Sequence, residues 1–184
     1  MEVEITAEAK DKRLNRLVAL TVVVLSVAMG LGNIKDGNIV QAMSQAQASS
    51  LDRWNEYQAT RTKLHIVDTA SAQLSASTDP ARAATTLAAF AAETAKYKAE
   101  TPGLARQAKG FSDQYDALNV HDDQFDAAEA SISTAISIAA IAALTESMIP
   151  LVAAWVFGAF GLFFLLCGFL GWGFHPDVLS TILG

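Results

Sequence analysis

The side chains that could do chemistry in this sequence are few, and most crowd into one short stretch. His121-Asp122-Asp123-Gln124-Phe125-Asp126 is followed by Glu129, so one imidazole and four carboxylates fall within nine residues. Such a cluster could attract cations, and imidazole with carboxylates could ligate a metal. His65 stands one helical turn before Asp68. A metal centre needs three or four converging ligands, and one helix supplies at most two at either place. No Glu-x-x-His pair of the di-iron kind occurs. There is no P-loop, Gly-x-Ser-x-Gly, His-Glu-x-x-His or Cys-x-x-Cys. Gly30-Leu31-Gly32 is too short to be a nucleotide fingerprint. The expectation is a protein that is not an enzyme and holds no cofactor and no metal.

The elements that must position the acidic run follow from how charge is distributed. The 184 residues are 52% hydrophobic and 17% charged. Residues 17–34, 130–145 and 147–174 carry no charge at all, whereas 36–128 holds 20 of the 32 charged side chains and the first 16 residues another 8. The net charge of −6 argues against a nucleic-acid partner, which would want a basic surface. The lone Cys167 cannot form an intrachain disulfide.

Three apolar segments follow. The first, Leu17 to Ile34, has 18 residues, about 27 Å as a helix and close to the hydrocarbon thickness. Arg16 and Lys35 bracket it, where long cations reach the interface. A cleaved signal peptide ending near Ser26-Val27-Ala28 is the rival reading; the segment is longer than a usual signal core. The strongest segment, Met148 to Phe174, is rich in Phe and Leu, with Trp155 and Trp172 towards its ends. The middle segment, Ala130 to Leu144, is short and hydroxylated, and reads as the first arm of a helical hairpin. Its alternative is an interfacial helix that never spans. Lys10, Lys12, Arg13 and Arg16 precede the first segment, which predicts a cytoplasmic N-terminus. Residues 36–128 would then be periplasmic, the 145–149 turn inside and the tail 175–184 outside.

The polar stretch is rich in Ala, Gln, Glu, Lys and Arg and reads as helix. Ser77-Thr78-Asp79-Pro80 and Thr101-Pro102-Gly103 are its breaks, giving helices over about 36–76, 80–100 and 103–128. A first helix of about 41 residues extends roughly 60 Å, so the other two must return together to reach the next apolar segment. The fold class is therefore all-α, an integral membrane protein with three transmembrane helices and a long coiled-coil-like arm running out and back. Its parts are 1–16, a cytoplasmic N-terminal segment; 17–35, the first transmembrane helix; 36–128, the arm; 129–146 and 148–174, the second and third transmembrane helices; and 175–184, the tail. On the arm, Phe111, Tyr115, Leu118, Asp122, Phe125, Glu129, Ile132 and Ile136 alternate by four and three. Ile39, Met43, Ala46, Ser50, Trp54, Tyr57, Arg61 and Leu64 are spaced similarly. So thin a seam calls for a partner. Lys35 is expected to pair with Asp126 or Glu129 at the interface; the alternative is an acidic ring at a pore mouth. Gly30, Ala154, Gly158 and Gly161 read as sites of close helix packing.

Arg13-Leu14-Asn15-Arg16-Leu17-Val18-Ala19-Leu20, Trp54-Asn55-Glu56-Tyr57-Gln58-Ala59 and the His121–Glu129 block together resemble the bacterial membrane-protein family catalogued as domain of unknown function 4337. The resemblance covers nearly the whole chain. It implies the same layout of one N-terminal span, a helical middle and a C-terminal hairpin, and it implies no activity. Relatives tend to carry basic residues in the hairpin turn, where this chain has Thr145-Glu146-Ser147. The functional expectation is a structural or scaffolding protein of the bacterial inner membrane. Besides the lipid bilayer, its partners would be further copies in a homo-oligomer, or a larger membrane complex joined through the arm. The alternative is an oligomeric channel or transport component, with Glu129, Ser133 and Ser137 facing the pore.

Overall fold

A computed structural model describes residues 2–76 and 80–174, with side chains over 12–76 and 83–174. The described residues form three α-helices and no strand: α1 (Glu2–Ser75), α2 (Pro80–Leu144) and α3 (Met148–Leu170). Each is long and apolar enough over part of its length to cross a membrane. Of the break at Ser77–Pro80, residues 77–79 lie outside the described residues, as does the tail 175–184.

The second expected break is absent. Thr101-Pro102-Gly103 lies inside α2, which runs unbroken through Pro102. A proline removes one backbone hydrogen bond and crowds the preceding turn. The Thr101 hydroxyl donates to the Tyr97 carbonyl in that turn, 2.6 Å away. The good helix formers on both sides outweigh one poor residue, so the two expected arm helices are one.

Two compact units make up the chain: residues 1–42 with 117–184, and residues 43–116.

In the 43–116 unit, α1 and α2 lie antiparallel. Ser50 Oγ donates to the Ala108 carbonyl at 3.1 Å, and Thr94 Oγ1 donates to Asp68 at 3.1 Å. Burial on α1 alternates by four and three through Ala46, Ser50, Arg53, Tyr57, Thr60, Leu64 and Val67. On α2 it does so through Leu87, Phe90, Thr94, Tyr97, Thr101, Leu104, Ala108, Phe111 and Tyr115. Two expected seam residues are corrected here. Trp54 remains 39% exposed, standing edge-on to Tyr57 with ring centroids 5.3 Å apart. Arg61 is exposed as well. Arg53 and Thr60 take the two places, because an uninterrupted heptad requires steps of three there.

The other unit is a three-helix bundle. Leu14 and Val18 of α1 pack with Ala139 and Ala142 of α2 and with Leu151 and Ala154 of α3. Leu25 packs with Ile132 and Ala135. α3 starts with Ser147, whose hydroxyl accepts from the Ile149 amide, and stops at Gly171, which takes the left-handed φ of 68°. The turn between α2 and α3 is tight enough to put Glu146 at a φ of 50°.

The bundle's packing inverts that of a water-soluble protein. The buried face of α3 is largely small (Ala154, Gly158, Gly161, Cys167, Gly168), while Val156, Phe157, Phe160, Phe163, Leu166 and Phe169 point outward. α1 likewise presents Leu20, Val23, Val24, Val27, Leu31 and Ile34 outward. Small residues between helices and large apolar ones outside suit a surrounding as apolar as the core.

Candidate functional site

Glycines set the heights at which side chains meet in the bundle. A methyl group on Gly158 would lie 3.1 Å from Leu25 Cδ1 and 3.7 Å from Ala135 Cβ. On Gly161 it would lie 2.6 Å from Ile132 Cγ1 and 3.0 Å from the Ala128 carbonyl oxygen. On Gly168 it would meet the Phe125 ring at 2.7 Å. Ala154, Gly158 and Gly161 thus lie at close packing points. Gly30 does not: nothing lies within 4 Å of its Cβ position, and it is exposed. Gly32 takes that role, with Leu165 Cδ1 at 2.7 Å. The two glycines are about 200° apart around α1, so only one can face the bundle.

These contacts place Asp126 and Glu129 alongside the apolar run of α3, between the levels of Gly168 and Gly161. Both are exposed, and so are Ser133, Thr134 and Ser137 farther along the same helix. The expected seam assigned positions 129 and 136 to the interface. The structure buries Ile132 as expected, but Ala128 and Ala135 take the places of Glu129 and Ile136, and Ile136 is half-buried. From Phe125 on, the buried face steps by three and then four, through Ala128 and Ile132 to Ala135, Ala139 and Ala142. Phe125 itself is buried, edge-on to Phe169 at 5.4 Å. The outward hydroxyls bond to their own helix: Thr134 donates to the Ala130 carbonyl at 2.8 Å and Ser137 to the Ser133 carbonyl at 3.0 Å. On the opposite side, Trp155 Nε1 donates to Thr21 Oγ1 at 2.9 Å.

At the end of the bundle away from the α2–α3 turn, Gln124 is fully buried. Its amide donates to the Trp172 carbonyl at 2.7 Å and to the Phe174 carbonyl at 2.6 Å. Its Oε1 lies 3.0 Å from His121 Nδ1. Because both amide protons are committed, Oε1 must accept and Nδ1 must carry a proton. Gln124 therefore ties the chain beyond Gly171 to α2. In the sequence Gln124 is one polar residue in an acidic run, and its only signal is its place beside Phe125 on the inward helix face.

Beyond that level Asp122 meets Asp36 of α1. The two carboxyl groups are within hydrogen-bonding reach. Burial, followed by the charges of Asp36 and Asp126, pushes Asp122 up to about 6 from its ordinary 3.8. Asp36 Oδ1 is buried without a hydrogen-bond partner. The pairing expected of Lys35 is replaced by this one. Lys35 is exposed and forms no ion pair with Asp126, Glu129 or any other described carboxylate. After Gly32 the inward face of α1 advances by four residues to Asp36 and then by three to Ile39, which turns position 35 away.

His65 is exposed, and Asp68 accepts from Thr94, so the two do not act as a pair. Among the described residues, no three His, Cys, Asp or Glu side chains converge as metal ligands. The arrangement can hold a proton between two carboxyls at one end of the bundle. It can also offer a line of carboxylates and hydroxyls on the outside of α2. No curated protein and no solved structure matches the chain. Residues 14–171 match the family model described as "Domain of unknown function (DUF4337)", and the chain belongs to that family.

Proposed function

We propose that this protein is a non-enzymatic membrane scaffold that self-associates. The observation that carries the reading is the outward placement of Glu129, Ser133 and Ser137 beside the apolar run of α3. In a bilayer, one copy would hold the Glu129 carboxylate against lipid, at a cost of about 2.5–3.5 kcal/mol near the centre on the insertion scale for acidic residues and less towards the surface. A second copy whose serine and threonine hydroxyls donate to the carboxylate offsets part of that cost, and hydroxylated, small-residue faces suit helix–helix contact. The proposed setting is the bacterial inner membrane. The cations Lys12, Arg13 and Arg16 support a cytoplasmic N-terminus and an extracytoplasmic arm.

The test is disulfide trapping of the full chain in native membranes. With Cys167 replaced by serine, Ser133→Cys is expected to form an intermolecular disulfide, whereas Val156→Cys on the lipid-facing side is not. Equal trapping at both positions, or a monomer at every concentration in mild detergent, would sink the reading.

The same face favours a second reading, a pore lined by α2 within a ring of copies. Purified protein in liposomes would then pass monovalent cations, and Glu129→Gln would lower the cation-to-anion permeability ratio severalfold. Liposomes that remain tight exclude this reading and leave the scaffold standing.

A further inference from the structure

The bundle sets an acid against an acid, both half-buried, where most interfaces would place an acid against a base. Asp36 and Asp122 come from different helices and lie within hydrogen-bonding reach. Two ionised carboxylates cannot share a hydrogen bond; one must keep its proton. Among the described residues, no donor beside the pair substitutes for that proton. Asp36 Oδ1 has no hydrogen-bond partner. On α1, Lys35 is turned away and forms no ion pair among the described residues. On α2, the neighbouring charges are Asp123, Asp126 and, farther along, Glu129. They add repulsion, and Asn119 donates to Asp123 at 3.3 Å. His121, also on α2, is engaged with Gln124. The described part of α3 and its following residues, 148–174, contains no charged side chain.

We propose that Asp36 and Asp122 form a proton-operated clasp between α1 and α2, closed while the pair holds one proton and loosened when both groups ionise. The location suits the role. The clasp sits beyond the last packing glycines, Gly32 and Gly168, where a small separation of α1 and α2 need not break the bundle beneath. Burial and the neighbouring charges set the working range, holding Asp122 up to about 6. A carboxyl group held above its unfolded value contributes stability that is complete below the unfolded value of 3.8 and is lost as pH rises through the folded one. The clasp therefore closes in mild acid and loosens towards neutral pH. It does not depend on the number of copies in the assembly.

The test uses the full chain in lipid nanodiscs, in a Cys167→Ser background, with spin labels on cysteines at the exposed positions Asn38 and Ala117, beyond the level of the pair. The separation between labels is expected to be short at about pH 5 and to gain a longer population at about pH 8, with a midpoint near that of Asp122. Asp122→Asn and Asp36→Asn each supply an amide donor in place of the proton, and should hold the short distance at both pH values. Asp126→Asn should keep the transition. Should the variants fail to fold, the wild type alone decides through its infrared spectrum. A protonated-carboxyl band must be present in acid and vanish alongside the change in distance. A wild-type distance that is independent of pH, or a transition that survives Asp122→Asn, overturns the proposal.

Discussion

Gly161→Ala is expected to destabilise the bundle by about 1–3 kcal/mol, the range for forcing a methyl group into a filled interior. The added carbon would stand 2.6 Å from Ile132 Cγ1, 3.0 Å from the Ala128 carbonyl oxygen and 3.1 Å from the Ile132 amide nitrogen. The Ile132 side chain is fully buried and has little room to move. The other two atoms are backbone of α2, so relief requires α2 and α3 to separate. Gly30→Ala is the matched control, because nothing lies within 4 Å of its Cβ position. It should be neutral, or stabilise by up to about 1 kcal/mol through helix propensity. Thermal unfolding of both variants in the same detergent, followed by tryptophan fluorescence, separates them. Equal melting temperatures would contradict the packing of α3 against α2.

Gln124→Ala carries the other large effect. The glutamine is fully buried and bridges α2 to two carbonyls beyond the end of α3. Truncation leaves both acceptors without this donor and opens a cavity. Buried polar groups stripped of a partner cost about 1–3 kcal/mol each. A total loss of about 3 kcal/mol is expected, somewhat below the sum because water can reach a released chain end. The loss should be local. Hydrogen exchange is expected to quicken at residues 171–174 while the amides around Leu151 and Ala154 remain protected. Uniform loosening of the whole bundle would show that Gln124 supports the fold through packing alone. Glutamate at the same position offers a sharper variant. An ionised carboxylate cannot donate to the two carbonyls, so Gln124→Glu should be less stable than Gln124→Ala at neutral pH and recover as it protonates.

Much of the architecture was legible in the residues because helix and apolar span are local properties. Leu17–Ile34 and Met148–Phe174 have the length and composition of spans whatever surrounds them. The break between α1 and α2 near Asp79-Pro80 likewise depends only on neighbouring backbone. Pro102 misled because a proline signals a cost, and the cost is outweighed when long helical stretches on both sides remain favourable. Trp54 misled because a large aromatic side chain weighs heavily in any apolar pattern, whereas the strict four–three rhythm runs through the polar Arg53 and Thr60.

The acidic run shows where local reading ends. Its composition marked a candidate point of function, but not which carboxylate faces which neighbour. A rotation of one residue, about 100° around a helix, decides whether Lys35 or Asp36 meets α2. That rotation is set by packing many residues away, at Gly32 against Leu165 and at Gly168 against Phe125. By itself, therefore, the sequence determined three apolar helices, the charged stretch between the first two, and the absence of known catalytic motifs, since each follows from residue type and short-range spacing. Only the tertiary structure decided that Glu129 faces outward, that Gln124 holds the end of the chain after α3, and that Asp36 and Asp122 confront one another. Each of those depends on helix rotation and register, which arise when faces distant in sequence are fitted together.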